Sequence, residues 1–162
     1  MNINITPLQE SDTEALFQFE QRHRAYFRQF VPDRGEDYYD PATFVEQQQS
    51  LLAEQRDGTS YFYLIKTKID EIAGRINLVD VNKAKRSAEL GYRVGETYVG
   101  KGVASAALSH LLRDLPAEID IIQAKTTPDN RGSQKVMERN GFRACGHTTE
   151  DGLTFVHYEW RR

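Results

Sequence analysis

The segment Val99-Gly100-Lys101-Gly102-Val103-Ala104 sets two glycines around a lysine, with a small alanine where a helix would open. A strand that runs into glycines and then a helix makes an anion site. Glycine lets the backbone approach closely, and the unpaired N–H groups of the first helical turn point at the ligand with the helix dipole behind them. A plain strand-to-helix turn also favours glycine, so both uses stay open on these residues alone. Among anions, a nucleoside triphosphate is a candidate. Gly95 to Lys101 fits the opening of the pattern G-x-x-x-x-G-K, but Gly102 stands where Ser or Thr would hold Mg²⁺. A second segment, Asn130 to Phe142, has an N-capping asparagine, an apolar helix face and a closing Asn140-Gly141 pair.

The elements that must position these residues are legible in outline. Ile3, Ile5 and Leu8 predict a first strand, and Ser11-Asp12 supply capping oxygens for a helix carrying Ala15, Leu16 and Phe19. Residues 21 to 40 have no clear period. Pro41 starts a second helix that runs to about Arg56, and Asp57-Gly58 ends it. Tyr61–Ile65 and Ile72–Val79 predict an antiparallel hairpin around Lys68-Ile69-Asp70, and Ala88–Val94 a third strand of that sheet. The glycine segment leads into a helix from Ala104 to Arg113, followed by a strand over Ile119–Ala124. Pro128-Asp129-Asn130 starts the next helix. Strands near Phe142–Thr148 and Leu153–Trp160, joined at Asp151-Gly152, close the chain. The sum is an α+β domain, and its antiparallel hairpin is unlike the parallel βαβ frame of triphosphate-binding proteins.

With 162 residues, the chain suffices for one domain, 1–162, and no linker or repeat divides it. Hydrophobic residues at 39% and charged residues at 28% describe a globular chain, and a net charge of -3 argues against a general grip on nucleic acid. No window is long and apolar enough for a membrane span, and Met1–Pro7 does not have the pattern of a signal peptide. One cysteine, Cys145, excludes an internal disulfide and any cysteine-clustered metal site, and is expected to be a small core residue. His23, His110, His147 and His157 show no spacing for a metal. A cytoplasmic, metal-free protein is the expectation.

Gly100-Lys101-Gly102-Val103-Ala104 resembles the acetyl-CoA loop of the GNAT acetyltransferases, Gln/Arg-x-x-Gly-x-Gly/Ala, with Gly102 and Ala104 matching and Val99 departing at the first position. Asn130, Ser133, Val136, Glu138, Gly141 and Phe142 resemble the later motif of that superfamily, and the two occur in the family's order. Ala88–Val94, Gly74-Arg75-Ile76 and the final aromatic strand after Gly152 are similar to the Rim-type branch, the ribosomal-protein N-terminal acetyltransferases. The resemblance implies a mixed, mostly antiparallel sheet of six to seven strands flanked by about four helices. It also implies direct transfer of an acetyl group from acetyl-CoA to a primary amine, without an acyl-enzyme.

The same resemblance implies residue roles. Pantetheine would pair with the strand Leu90–Val94, with Tyr92 and Val94 at the cofactor. Phosphates would rest on Gly100, Lys101, Gly102, Val103 and Ala104, and Asn130 would orient the donor. Glu89 is the first candidate for the general base and Glu150 the second. Many GNAT enzymes have a tyrosine where this chain has Met137, so Ser133 is the candidate acid beside the CoA sulfur. A non-catalytic acetyl-CoA-binding sensor and a P-loop-like nucleotide-binding protein are the alternatives.

Tyr26, Phe27, Phe30, Tyr38 and Tyr39, interspersed with Asp33, Glu36, Asp37 and Asp40, suit either a groove for a cationic amine or the packing of early helices on the sheet. The acceptor, a small-molecule or peptide amine, is not named by these residues. A monomer or homodimer is expected, with neither nucleic acid nor membrane as a partner.

Overall fold

In the computed structural model, which describes residues 1–162, seven strands form one sheet in the order β1-β2-β3-β4-β5-β7-β6. β1 (Ile3–Pro7), β2 (Tyr61–Thr67), β3 (Ile72–Asn82) and β4 (Ser87–Val94) run antiparallel in sequence. β5 (Ile121–Thr126) joins β4 in parallel through the crossover helix α3 (Val103–Arg113), since parallel neighbours need such a connection. The hairpin of β6 (Arg143–Glu150) and β7 (Leu153–Arg161) completes the sheet, with β7 against β5 and β6 at the edge. The expected α+β class with a mixed, mostly antiparallel sheet is what the chain adopts.

Alternation along the strands divides the apolar residues between two faces. Ala88, Ile76, Leu78, Ile122, Ala124, Val156 and Tyr158 face α3 and α4 (Arg131–Arg139), forming the larger core with Val103, Ala107, Leu108, Leu111 and Met137. Phe62, Leu64 and Ile72 face the other way and meet Leu16, Phe19 and Phe27 of α1 (Thr13–Phe27) and Phe44 of α2 (Pro41–Asp57). α1 and α2 cover this face only over its β1–β4 half. On its β5 half Gln123 and Lys125 lie exposed, and every residue of β6 is exposed.

Several boundaries differ from the sequence expectations. α1 extends to Phe27, into the stretch without clear period, because Phe19, His23 and Phe27 recur at helical spacing on its buried side. Asp12 does not cap α1. Its carboxylate accepts from the Gln9 N–H at 2.9 Å across a short 3₁₀ turn, Glu10–Asp12. Cys145 is exposed on the edge strand, not in the core, because no helix covers β6. The capping signals for α2 and α4 behave as read. Asp40 accepts from Thr43 N–H, Asn130 accepts from Ser133 N–H, and Gly58 and Gly141 take left-handed conformations after the helix ends.

Candidate functional site

β4 holds β3 along its whole length but touches β5 only through Ser87, Ala88 and Glu89, which pair with Ile121, Ile122 and Gln123. Beyond Glu89 the two strands part. Leu90–Val94 therefore presents an edge free of β5, while Lys125 and Thr126 of β5 continue to pair with β7. A parted sheet leaves backbone N–H and C=O groups available for an extended ligand, as an edge strand does.

The glycine segment lies past the open end of this wedge. Gly100 and Gly102 have φ of 78° and 75°, a region that costs other residues about 1–2 kcal/mol. A Cβ at either would meet nothing within 4 Å, so backbone conformation, not crowding, calls for glycine there. Gly102 is the N-cap of α3, and the N–H groups of Gly100, Lys101 and Gly102 bond to no backbone carbonyl. With the first-turn amides of α3 they form a cluster of donors at the positive end of a helix, suited to an anion. The segment opens the β4–α3–β5 crossover, but Gly102 stands where a triphosphate loop needs Ser or Thr to hold Mg²⁺.

Across the wedge, β4 and α4 are joined by side chains. The Tyr92 hydroxyl donates to Ser133 Oγ at 3.0 Å, and Asn130 caps the same first turn through its bond to Ser133 N–H at 3.1 Å. Burial raises the Tyr92 phenol, and the bond to Ser133 opposes that shift. Met137 lies one turn further along this face and is buried in the core. Asn140 ties the far end of α4 to α3, donating to Val136 C=O at 2.9 Å and to Ser105 Oγ at 3.2 Å.

On the α1–α2 side of β4 stand Glu89 and Arg93, in register with Val79 and Arg75 of β3. Burial raises the Glu89 carboxyl, and Asp80 raises it further by a shared hydrogen bond and by its charge. Lys125 opposes them and Glu150 adds to them. Asp80 reaches Glu89 from an irregularity in β3 between Val79 and Asn82, where its own φ is 51°. No sequence signal announces that bulge. Glu150, the second candidate base, is held by the Lys125 ammonium at 2.9 Å, which lowers its carboxyl and binds it as an anion. Of the two carboxylates, Glu89 is held above the ordinary glutamate range and Glu150 below it.

Sequence reasoning also passed over His23. Its ring is buried between Phe19 and Phe27, at centroid distances of 4.8 and 5.9 Å, and its Nδ1 accepts from the Glu96 N–H at 3.2 Å. A Cβ on Gly95 would come within 2.7 Å of Nε2. His23 thus holds the chain where β4 turns toward the glycine segment. Of the five early aromatics, Phe27, Tyr38 and Tyr39 already hold the protein's own arginines, while Tyr26 packs edge-on against exposed Phe30. Arg24 lies 4.1 Å over Tyr39, Arg34 5.0 Å over Tyr38 and Arg93 4.4 Å over Phe27. Arg24 also clamps Asp33 and Glu36, at 2.7 and 3.0 Å, and holds the Asp33 carboxyl down to about 2. No group of three or more His, Cys, Asp and Glu residues is placed to hold a metal.

The chain is similar to known proteins in sequence and in fold. The acetyltransferase (GNAT) domain family matches residues 2–143. A probable N-acetyltransferase of Bacillus subtilis, YjcK, is 28% identical over 152 residues, covering 89% of this chain and 82% of its own. A ribosomal-protein-S5-alanine acetyltransferase from Vibrio fischeri superposes with a TM-score of 0.89 at 17% identity, covering 97% of this chain and 91% of that one. A ribosomal L7/L12 α-N-protein acetyltransferase solved with coenzyme A gives 0.87 at 22% identity, over 97% and 92%. At such identities the two solved structures speak for the fold.

Proposed function

The chain belongs to the acetyltransferase (GNAT) family, and on that premise we propose that Glu89 and Ser133 serve the transfer of an acetyl group from acetyl-CoA to an amine entering from the α1–α2 side of β4. The observation that carries this assignment is the parting of β4 from β5 after Glu89, beside the donors of the glycine segment. Acetyl-CoA supplies the acyl thioester. The residues present suit it. The amides of Gly100, Lys101 and Gly102, with Val103 and Ala104 opening α3, receive its pyrophosphate. The backbone of Tyr92 and Val94 pairs with its extended arm, and Asn130 fixes the turn that carries Ser133.

Glu89, directly or through one water, takes the proton that an ammonium group must lose before it can attack. Its raised carboxyl makes it a better base than an ordinary surface glutamate. A backbone N–H of Leu90–Val94 donates to the carbonyl oxygen as negative charge develops there. The new C–N bond forms as the C–S bond breaks. The nitrogen sheds its second proton to water, Ser133 Oγ–H protonates the leaving thiolate, and the Tyr92 hydroxyl bonded to it restores the serine's proton and is itself reprotonated from solvent. Met137 is buried away from this path, which leaves the acid's place to Ser133.

Sequence similarity to ribosomal-protein acetyltransferases supports a protein N-terminal amine as the acceptor class. The reading takes residues 1–162 as one catalytic unit, working in the cytoplasm as a monomer or homodimer without nucleic acid or membrane. No helix is long and apolar enough to cross a membrane. Release of the CoA thiol, measured with a panel of amines and N-terminal peptides, tests the proposal. Glu89→Gln should lose most turnover while still binding acetyl-CoA in calorimetry. Unchanged turnover across pH would remove Glu89 as the base. In Ser133→Ala, turnover should fall more than acetyl-CoA affinity, and equal kinetics would remove that role.

A further inference from the structure

At the Arg93 end of the α1–α2 side of β4, guanidiniums outnumber the carboxylates that hold them. Glu20 of α1 is fully buried, 2.8 Å from Arg75 and 3.3 Å from Arg93, and no other carboxylate lies within 4 Å of either arginine. Tyr38 adds a neutral hydroxyl to Arg75, at 3.3 Å. A third guanidinium, Arg34, lies over Tyr38 and has no carboxylate within 4 Å. One negative charge therefore faces three positive ones. The carboxylates nearby in sequence are mostly engaged elsewhere. Asp33 and Glu36 hold Arg24, Asp40 caps α2, and exposed Asp37 alone is unpaired.

The arginines differ in how far they are spent. Arg93 uses one nitrogen, Nη1, on Glu20, and neither Nε nor Nη2 donates to any protein group. Its side chain keeps 21% of its exposure, with the guanidinium over the Phe27 ring on the side of β4 that carries Glu89. Burial and the charges of Arg34 and Arg75 disfavour its protonated form, while Glu20 supports it. A guanidinium crowded by others of like charge, half-desolvated and with a free donor edge, is built to receive an anion.

We propose that the acceptor amine carries an anionic group, a carboxylate or a phosphate, and that Arg93 and Arg34 receive it while the amine stands at Glu89. The proposal rests on the acceptor side assigned above. Glu89 and Arg93 lie on the same side of β4, four residues and about 13 Å of strand apart. An extended peptide with its amino group at Glu89 brings its fourth or fifth residue to Arg93. The site thus selects amino termini followed closely by acidic or phosphorylated residues.

The test uses the full chain with peptides that share an N-terminal serine and differ at the fourth residue: glutamate, phosphoserine, glutamine or lysine. Initial rates of CoA thiol release give kcat/KM. Calorimetry on the protein loaded with CoA gives peptide affinity without turnover. The glutamate peptide should exceed the glutamine one by about tenfold at low salt, with the gap narrowing as salt screens the charges. A larger gap for phosphoserine would name phosphate as the anion. Arg34→Gln, at an exposed position, and Arg93→Gln should each cut the ratio several-fold, and Arg34→Glu should turn it toward lysine. Transfer with no preference among the peptides overturns the anion site and leaves the transferase assignment intact. Acidic peptides that bind through Arg93 but are never acetylated would uphold the anion site and overturn the acceptor assignment. Binding of none of them overturns the proposal.

Discussion

The donor and acceptor sides of β4 are built from different materials. On the donor side the work falls to backbone: two glycines in left-handed conformations, free amides at the start of α3, and an unpaired strand edge. On the acceptor side it falls to charged side chains brought from α1, β3 and β4, with Glu20, Arg75 and Arg93 at the centre. Backbone sites tolerate changes in neighbouring side chains but not in local conformation. Charged clusters tolerate changes in shape but not the loss of a partner.

Each prediction bears on that contrast. Glu20→Gln leaves two guanidiniums without their counter-charge, and should cost about 3–5 kcal/mol of stability in urea unfolding. A cost below about 1 kcal/mol would show that packing, not charge, holds the acceptor side. Glu89→Gln should lower kcat on the order of 100-fold. Because the Glu89 carboxyl is raised, the rising limb of the wild-type rate profile should lie above the ordinary glutamate range and vanish in the variant. On the donor side, Gly102→Ala forces a left-handed alanine and should raise the KM for acetyl-CoA about tenfold, the equivalent of ~1.4 kcal/mol. An unchanged KM would deny that backbone conformation sets this side.

Two smaller effects concern the joints between the sides. Burial, with help from Arg22, lowers the His23 imidazole below its ordinary 6.5, against the pull of Glu20 and Glu96. The folded protein therefore prefers neutral His23. That contribution to stability is present above pH 6.5 and is lost as pH falls through the depressed value. Unfolding at pH 7 and pH 5 should show the loss in the wild type, and His23→Leu should flatten it. Lys125→Ala removes a half-exposed pair with Glu150 and should cost only a few tenths of a kcal/mol. Its clearer readout is a further rise of the Glu89 carboxyl, since Lys125 opposes that shift.

The same contrast explains what the sequence disclosed. Donor-side requirements are local and written in residue type: glycine at 100 and 102 for left-handed backbone, Asn130 for a cap, Gly141 for a helix end. Acceptor-side partners are distant in sequence. Nothing near Glu20 names Arg75 or Arg93, and the bulge that brings Asp80 to Glu89 leaves no mark in Val79-Asp80-Val81. The aromatics of residues 26–39 suggested a cation groove because composition records rings and acids, but not which of the rings an arginine covers. Cys145 is exposed because β6 is the bare edge of the sheet, and a cysteine's residue type does not say whether its strand lies at an edge or in a core.

The buried carboxylate of Glu20 has a mechanical consequence. It fastens α1 to two adjacent strands at once, so sliding the helix would separate charges inside the protein. That joint is a rivet, not a hinge. Accommodation of differently shaped acceptors then falls to the segment between α1 and α2, which carries exposed Arg34 and touches the rivet through Tyr38, 3.3 Å from Arg75. New preferences can arise by substitutions there while the catalytic frame stays rigid, giving one scaffold that can be retuned without being rebuilt.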